Sequence, residues 1–406
     1  MTTIFRPAAD WELANVIGDA AIRRSPLEIV GAGTKQGIGR PTESVAQVSV
    51  RGLSGVMLYE PNELVMSARA GTLLADVEGQ LAQRGQMLAF EPLDLGPLLG
   101  AEAGHGTIGA VFATNMSAAR RIFAGGARDH LLGVRAVTGY GKQVLAGGRV
   151  MKNVTGCDVS RSLAGSWGTL AVMTEVTFKV VPIPEATATV AFFGLPDEIA
   201  IEVLCAAVGS PYEITGALHV QQEPASRLGP SQFRGQGKSV TAFRLEASEK
   251  SITYRVDRLR AALKVYGAMH VIGTQASREF WQEMRMLTPM QGSSRPLWRI
   301  STAPKLGPKV VAGIARYMEV EATYDWSGGL IWLEVPISAD AGATDIRRII
   351  ALHGGHATLI RAEPAVRSAV EVFQPLDPGV ERLTRRVKAA YDPSGVLNRG
   401  RMYPTI

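Results

Sequence analysis

Glycine-rich segments are the parts of this sequence whose residue types and spacing could do chemistry. Glycine has no Cβ, so the backbone N–H groups beside it come close to a bulky, negatively charged group. Four segments of this kind contain interleaved Thr, Ser or Arg: GAGTKQGIGRP (31–41), GHGTIG (104–109), GGARD (125–129) and GSWGT (165–169). One such segment alone is typical of an ordinary turn. Four of them predict a binding site made by main chain.

The first segment follows the short apolar run Leu27–Val30, an arrangement that also occurs in dinucleotide-binding βαβ units. Such a unit needs a helix directly after the glycines and an acidic residue at the end of the next strand. Here Gly39–Pro41 breaks the chain, and residues 49–52 contain no acid. The sequence therefore predicts a strand–loop–strand cradle. The N–H groups of residues 32–36 would hold a pyrophosphate there, and Lys35 would add charge.

Three other motifs lack a residue, or an arrangement of elements, that their chemistry needs. Ser166 lies in a sequence that resembles a nucleophile elbow, but the predicted strand follows it instead of preceding it. We therefore expect Ser166 to donate a hydrogen bond to a bound group. The segment before Ser239 resembles a phosphate-binding loop, but Gln232 stands where its first glycine is required. His353 and His356 have no acid or cysteine at metal-ligand spacing, so no metal site is predicted.

Periodicity and turn residues predict the elements that position these segments. The residues from Leu170 to Val181 alternate with period two, which is typical of a strand. Upstream, the pattern predicts mixed helices and strands: helices Asp10–Arg24, Leu73–Arg84 and Thr107–Asn115, strands Leu27–Val30, Gly55–Tyr59, Glu63–Ala68 and Met87–Phe90, and a hairpin from Asp129 to Ala146. This order predicts an α+β domain.

The pattern changes after Pro182-Ile-Pro184, and the order strand–helix–strand–strand–helix–strand then occurs twice. The first occurrence is Thr187–Phe193, Pro196–Val208, Ile214–Val220, Ser239–Glu246, Ile252–Tyr266 and Met269–Ile272. The second is Trp298–Ser301, Pro308–Met318, a weak strand near Thr323, Leu330–Val335, Ala343–His353 and Ala357–Arg361. These are ferredoxin-like split βαβ repeats, which predict an antiparallel sheet.

The length of 406 residues predicts two or three domains. We place the boundaries at the proline-containing segment near 184 and before the final helix, which Asp377-Pro378 begins and Asp392-Pro393 ends. The predicted domains are residues 1–184, a cap or substrate domain at 185–375, and a C-terminal segment at 376–406.

Composition excludes several classes of protein. The chain is 46% hydrophobic and 20% charged, and no apolar run reaches the ~18–20 residues of a membrane span. No signal peptide is predicted before Asp10. The net charge of +6 is spread along the chain, and the basic run at 382–388 indicates a solvated helix face, with an acidic partner subunit as the second interpretation. We therefore expect no nucleic-acid partner, no transmembrane segment and a cytoplasmic location.

The sequence has only two cysteines, Cys157 and Cys205. They provide no disulfide framework, and they cannot ligate an iron–sulfur cluster, which needs about four thiolates. If this chain transfers electrons, another chain or a small molecule must accept them.

The glycine segments, together with GTIG…ATN, GGARDHLLGV and GSWGTLAVMTEVTFKVVP, resemble the FAD-binding fold of the vanillyl-alcohol-oxidase/PCMH type. The terminal YDPSGVLNRGRM (391–402) resembles the closing segment of that family. Within the family, the sequence is most similar to the FAD-binding subunits of glycolate oxidase. The resemblance implies FAD as cofactor and a small 2-hydroxy acid as substrate. It also implies a complex with a second flavin subunit and an iron–sulfur subunit, peripheral at the inner membrane through these partners.

The resemblance and the glycine segments together give the candidate FAD-binding residues. They are Gly31, Ala32, Gly33, Thr34, Lys35, Gln36, Gly106, Thr107, Ile108, Gly109, Thr114, Asn115, Asp129, Gly133, Val134, Gly165, Ser166, Gly168, Thr169, Val172 and Asn398. Two residues depart from the family pattern: Cys157 replaces a usual Tyr, and Ala119 replaces a common Pro. Covalent attachment in this family uses a His in the first loop or a Cys further on. Because Thr34 stands at the position of that His, we expect non-covalent FAD.

Oxidation of a 2-hydroxy acid requires that the carboxylate be held and the hydroxyl proton removed. Arginine suits the first task and histidine the second. The candidates are Arg299, His356 and Arg361. His356 and Arg361 are an odd number of residues apart, so they face opposite sides of a strand unless it contains a bulge. A structural role for each of these residues is an equal alternative.

The sequence therefore predicts an FAD-dependent oxidoreductase subunit that takes or relays a hydride equivalent from a 2-hydroxy acid, with glycolate implied as substrate. Two alternatives remain open. The chain could be a non-catalytic assembly subunit of such a complex, or a stand-alone FAD-dependent oxidase of another small alcohol.

Overall fold

The computed structural model describes residues 3–149, 158–229, 231–234 and 237–404. Two compact units divide the chain. Unit 1 consists of Met1–Ser117, Gly125–Ile183 and Pro375–Ile406, and unit 2 of Ala118–Ala124 and Pro184–Gln374. The domain boundaries proposed from the sequence stay a prediction, and they did not group Ala118–Ala124 with unit 2.

Unit 1 contains the first ten described strands: β1 (Thr3–Phe5), β2 (Leu27–Val30), β3 (Ala46–Ser49), β4 (Val56–Glu60), β5 (Val65–Arg69), β6 (Gln86–Met87), β7 (Leu131–Thr138), β8 (Gln143–Gly147), β9 (Ala171–Lys179) and β10 (Val181–Pro182). They form a parallel sheet β1-β3-β2, an antiparallel sheet β4-β5-β9-β7-β8 and the pair β10-β6. The long strand β9 lies at the centre of the antiparallel sheet, as its alternating sequence predicted.

The described helices of unit 1 are Asp10–Arg23, Leu74–Ala82, Ile108–Thr114, Ala127–His130, Val159–Leu163 and Pro378–Tyr391. The residues that flank Ile108–Thr114 begin and end this helix. The Thr107 hydroxyl accepts a hydrogen bond from Ala110 N at 3.4 Å, and Asn115 ends the helix in the left-handed conformation with φ 50°. The helix buries Ile108 and Phe112 in a core beneath the antiparallel sheet. These features confirm the helix predicted there.

The strand predicted at Met87–Phe90 is wrong in extent, because only Gln86–Met87 pairs as a strand. Leu88 and Phe90 are nevertheless buried in the same core. Their apolar character reflects burial of a loop rather than pairing of a strand.

Unit 2 contains the strands β11 (Ala186–Phe193), β12 (Gly216–Val220), β13 (Val240–Ala247), β14 (His270–Ile272), β15 (Leu297–Ser301), β16 (Glu321–Asp325), β17 (Leu330–Glu334) and β18 (His356–Arg361). They form one antiparallel sheet in the order β14-β11-β13-β12-β16-β17-β15-β18. Each half has the strand order of a ferredoxin-like repeat, and β12 and β16 join the two halves. The predicted repeats and the α+β class are confirmed.

The described helices of unit 2 are Arg121–Ala124, Asp197–Val208, Gln222–Ala225, Ser231–Arg234, Glu249–Leu263, Thr274–Arg285, Gly307–Ile314, Ala343–His353 and Pro364–Ala369. The sequence interpretation missed Thr274–Arg285, which packs Phe280, Trp281 and Met284 against the sheet. The other side of this helix is strongly polar. Because the helix has few apolar residues, its amphipathic pattern is difficult to recognise in the sequence.

No helix in the described part of the chain is long and apolar enough to cross a membrane.

Candidate functional site

A cleft lies within unit 1, and glycine-rich loops form much of its wall. The candidate residues that the structure brings together along this cleft are Gly31, Ala32, Gly33, Thr34, Lys35, Gln36, Thr107, Gly109, Thr114, Gly168, Val172 and Asn398. Segments far apart in the sequence therefore share one crevice, as the prediction of a main-chain site requires.

The first loop leaves the end of β2 and turns within a few residues. Gln36 N donates to Gly33 O at 3.1 Å, Ile38 N donates to Lys35 O at 3.1 Å, and Gly33 has a left-handed φ of 80°. Gly31 lies so close to Thr107 that an added Cβ would be 2.3 Å from the Thr107 Oγ1 atom. Glycine at 31 therefore lets this loop approach the start of helix Ile108–Thr114.

Asn398 joins the C-terminal segment to two walls of the cleft. Its Oδ1 accepts from Ile29 N at 2.7 Å, and its Nδ2 donates to Trp167 O at 2.8 Å. Asn398 has a left-handed φ of 44°, and a Cβ on Gly168 would be 2.9 Å from its Nδ2 atom. The side-chain amide therefore fixes the end of β2 relative to the glycine-containing turn before β9.

Lys388 holds the segment before Asn398 against the turn that precedes β9. Its buried Nζ donates to Thr169 O at 2.6 Å and to Leu397 O at 3.0 Å, and it pairs with Asp392 at 2.7 Å. Burial lowers the pKa of Lys388, and the Asp392 carboxylate opposes that shift. All three partners are internal, so Lys388 orients the closing segment and belongs to the scaffold of the cleft.

Lys35 is a cation of the first loop and lies on the cleft wall. Burial lowers its pKa, while Asp94 opposes the shift. A Cβ on Gly106 would be 3.5 Å from the Lys35 Nζ atom, which places the ammonium between two glycine segments. Backbone N–H groups that surround a desolvated cation suit a pyrophosphate. The residues present therefore fit FAD.

The remaining candidate FAD residues do not line the cleft: Gly106, Ile108, Asn115, Asp129, Gly133, Val134, Gly165, Ser166 and Thr169. Most have local structural partners. Asp129 accepts from Gly126 N at 2.8 Å, and Asn115 accepts from Arg128 N at 3.0 Å. Gly133 and Val134 lie inside β7. Ser166 differs from these residues, because its hydroxyl is buried without a protein partner, directly before the cleft residue Trp167.

Several cleft residues were not predicted from the sequence. Ile29, Val50, Ala70, Ala113, Ala171 and Met173 give it an apolar wall, and Trp167 and Arg401 complete it. Arg401 donates to Lys35 O at 2.8 Å and lies 3.5 Å from Glu28. The family-like closing motif contains this arginine and was the signal that could have identified it.

Of the two residues that depart from the family pattern, the structure describes one. Ala119 is buried in the core of unit 2. Cys157 lies outside the described residues. Among the described residues, no group of three or more His, Cys, Asp or Glu side chains is arranged to hold a metal ion.

In unit 2, the candidates Arg299, His356 and Arg361 lie on adjacent strands, β15 and β18. Ser301 lies opposite His356 and Arg299 opposite Thr358, and the pairing then shifts so that Leu297 lies opposite Arg361. The shift leaves Ile360 as an extra residue, which is a β-bulge. Because paired residues share a face, the bulge brings all three candidates to the same side of the sheet.

Arg361 is fully engaged by neighbours. Its guanidinium pairs with the buried Glu334 carboxylate and donates to Arg295 O at 2.9 Å and Met290 O at 2.6 Å. Arg227 and Arg295 extend this network through Glu321, at 3.0 and 2.8 Å. These contacts assign Arg361 a place in an ion-pair network, in which each of its three guanidinium nitrogens donates to a protein acceptor.

Arg299 has a different environment. Its guanidinium carbon lies 5.2 Å from the centroid of the Trp326 ring, and its Nε is enclosed without a hydrogen-bond partner. Burial and the charge of Arg121 lower the pKa of Arg299 to about 10, while Asp325 opposes the shift. Arg299 therefore remains a cation at neutral pH.

His356 keeps part of its surface accessible. Desolvation of the ring, followed by the positive charges of Arg299 and Arg347, lowers its pKa. The imidazole is therefore mainly neutral at neutral pH, and a neutral imidazole can accept a proton.

A family model described as an FAD binding domain matches residues 2–147. Glycolate oxidase subunit GlcE of Escherichia coli K12 is 34% identical over 392 residues, covering 96% of this chain and 96% of that protein. An uncharacterised FAD-linked oxidoreductase of Mycobacterium tuberculosis is 27% identical, covering 97% of this chain and 89% of that protein.

Among solved structures, 4-ethylphenol oxidase from Gulosibacter chungangensis matches with a TM-score of 0.73. It covers 99% of this chain and 89% of its own chain, with 13% sequence identity. At this identity the similarity concerns the fold alone.

Proposed function

Because this chain belongs to the family of FAD-linked oxidoreductases that contains subunit GlcE of glycolate oxidase, we propose that it is the FAD-binding subunit of a multi-subunit 2-hydroxy acid oxidase, with glycolate as substrate. The match extends along nearly the whole of both chains. The observation that carries the proposal is the single cleft on which glycine-rich loops, Lys35 and Asn398 converge.

FAD, when bound, would accept the hydride that leaves the substrate carbon, and with it both electrons of the oxidation. The chain's own residues would hold it from several sides. The N–H groups of residues 32–35 and the Lys35 ammonium would bind the pyrophosphate, whereas the first N–H groups of helix Ile108–Thr114 already donate to Thr72 O, Ala70 O and Thr107 Oγ1. The flavin is proposed to be non-covalent, because Thr34 stands on the cleft wall at the position where the family carries the histidine for covalent attachment.

The substrate would use residues of unit 2. Arg299 is proposed to bind the carboxylate, because it is a desolvated cation with an unsatisfied N–H group. His356 is proposed to accept the hydroxyl proton, because its lowered pKa keeps it neutral. Arg361, although predicted with them, is already neutralised by Glu334.

Electrons would leave through partner subunits. The two cysteines of the sequence cannot ligate an iron–sulfur cluster of the usual kind. We propose a second flavin subunit and an iron–sulfur subunit as these partners, in a cytoplasmic complex that is peripheral at the inner membrane.

The test is purification of the full chain, alone and with its co-purifying subunits from the native cell. The visible spectrum, the release of free FAD on acid precipitation and anaerobic bleaching by glycolate are then recorded. A yellow chain that releases FAD and bleaches, alone or with its partners, is the expected result. A colourless chain, or a yellow complex that glycolate never bleaches, would contradict the proposal.

A further inference from the structure

Two arginines of unit 2 lie against one tryptophan. The guanidinium carbons of Arg121 and Arg299 are each 5.2 Å from the centroid of the Trp326 ring. Within the described residues, neither guanidinium has a carboxylate at ion-pair distance. Stacking on an indole leaves the N–H edge of a guanidinium free for an anion.

The backbone that carries Trp326 is strained. Trp326 and Ser327 have left-handed φ values of 53° and 58°, which non-glycine residues rarely adopt. Asp325 holds this turn by accepting from Trp326 N at 2.7 Å, and Trp326 Nε1 donates to Ala118 O at 3.1 Å. The second bond fixes the indole to the segment that contains Arg121. Strain of this kind persists at ligand-binding sites when the surrounding structure enforces it.

Unsatisfied polar groups lie on the same face of the sheet. Arg299 Nε has no hydrogen-bond partner, and neither has the fully buried Thr323 hydroxyl, which lies in the same cross-strand row. Buried donors without partners are rare and costly in folded proteins. A ligand that accepts hydrogen bonds would satisfy the arginine.

The charge balance indicates the class of ligand. Asp325 places a negative charge near Arg299, and Arg121 places a second positive charge there. A small anion would be attracted by the two arginines, and the Asp325 carboxylate would repel a dianion more strongly than a monoanion. A planar carboxylate also matches the fork of a guanidinium.

We infer that Arg121 and Arg299 form a two-arginine site around Trp326 that binds the carboxylate of a small monocarboxylic acid. The site selects charged acids over neutral alcohols of the same size, and Arg121 is the residue that determines this specificity. The inference rests on the proposed function for the identity of the acid, and it deepens that proposal by giving the carboxylate a second partner.

Acetate is a suitable probe, because it carries the carboxylate but no hydroxyl to be oxidised. Binding to the full chain is measured by calorimetry and by tryptophan fluorescence at constant ionic strength, with acetamide as the neutral isostere. We expect saturable binding of acetate and none of acetamide. Arg121→Gln and Arg299→Gln should each weaken acetate binding about tenfold or more. Trp326→Phe should remove the fluorescence change.

Arg260→Gln is the matched control, because Arg260 is exposed on helix Glu249–Leu263 and pairs with Asp257 at 3.0 Å. It should bind acetate like the parent chain. Arg121 is only partly buried, so its variant tests the site even if Arg299→Gln fails to fold. Equal binding of acetate and acetamide, or unchanged binding in the Arg121 variant, would overturn the inference. Tighter binding of inorganic phosphate than of acetate would overturn the assignment to a monocarboxylate.

This readout does not depend on flavin reduction. If the chain binds acetate through both arginines but glycolate never reduces its flavin, the two-arginine site is supported and the proposed oxidation is contradicted. A chain that glycolate reduces equally well after Arg121→Gln keeps the oxidation and contradicts the two-arginine site.

Discussion

Two groups of arginines on one face of the unit 2 sheet differ in how their charge is balanced. Arg227, Arg295 and Arg361 share the carboxylates of the partly buried Glu321 and the buried Glu334. By contrast, Arg121 and Arg299 share an indole ring and have no ion pair among the described residues.

The difference separates a structural role from a binding role. A buried ion pair is satisfied within the protein, and removal of one partner leaves an uncompensated charge. A buried cation without a partner is costly unless a ligand supplies the missing anion. The paired group should therefore control stability and the unpaired group should control substrate binding.

Glu334→Gln should give the largest effect, because it leaves Arg361 and Arg227 without their shared carboxylate. We expect the free energy of unfolding to fall by about 3–5 kcal/mol, measured by denaturant titration. Acetate binding by the folded fraction should be unchanged. Glu381→Gln is the control, since its exposed pair with Arg385 contributes at most about 1 kcal/mol. A Glu334 variant as stable as the parent would contradict the structural role assigned to Arg227, Arg295 and Arg361.

Arg299→Gln should show the opposite pattern. Stability should change by less than about 1 kcal/mol, because no ion pair is broken. The value of kcat/KM for glycolate should fall about 10–100-fold, as expected for loss of a charge-assisted hydrogen bond. Arg299→Lys, which keeps the charge but not the fork, should be intermediate. Severe destabilisation with normal kinetics of the folded fraction would assign Arg299 to the structural group.

Asn398→Ala should affect unit 1 and leave both arginine groups intact. The change removes the hydrogen bonds to Ile29 N and Trp167 O, and we expect FAD to bind about tenfold more weakly. Flavin fluorescence during titration of the FAD-free chain measures this affinity. Gly79→Ala is the control, because an added Cβ there meets nothing within 4 Å. Unaltered FAD affinity in the Asn398 variant would exclude this amide from the binding site.

The smallest effect concerns pH. Desolvation, Arg299 and Arg347 all lower the pKa of His356, so kcat/KM should stay high until the pH falls below the ordinary histidine range of about 6.5. Arg299→Gln removes one cation and should raise that pKa, which moves the acid limb to higher pH. Arg348→Gln, which loses a partly exposed pair with Asp345 and a contact with the Tyr317 ring, should leave the limb in place. If His356→Gln keeps the same limb, another group is responsible.

The glycine-rich turns could be predicted from the sequence, because the requirements at glycine are local. Gly31, Gly33 and Gly168 occupy positions of close approach or left-handed backbone, and such positions are visible in the residue type itself. The repeated strand–helix order of unit 2 was visible for the same reason, since period-two and helical patterns depend on neighbours along the chain.

The arginine groups could not be sorted from the sequence. The pairing of Arg361 with Glu334 depends on cross-strand register and on the bulge at Ile360. The contact of Arg121 with Trp326 joins residues far apart in the chain, through a short segment that belongs to unit 2. Residue type suggested Arg299 and Arg361 equally, and only their partners distinguish them.

The most direct measurement is the rate at which glycolate, compared with the neutral glycolamide, bleaches the flavin of the intact chain or its complex under anaerobic conditions. The unpaired arginines predict fast bleaching by glycolate, little by glycolamide, and loss of this preference in Arg121→Gln and Arg299→Gln. Equal rates for both compounds in the parent chain would contradict the account.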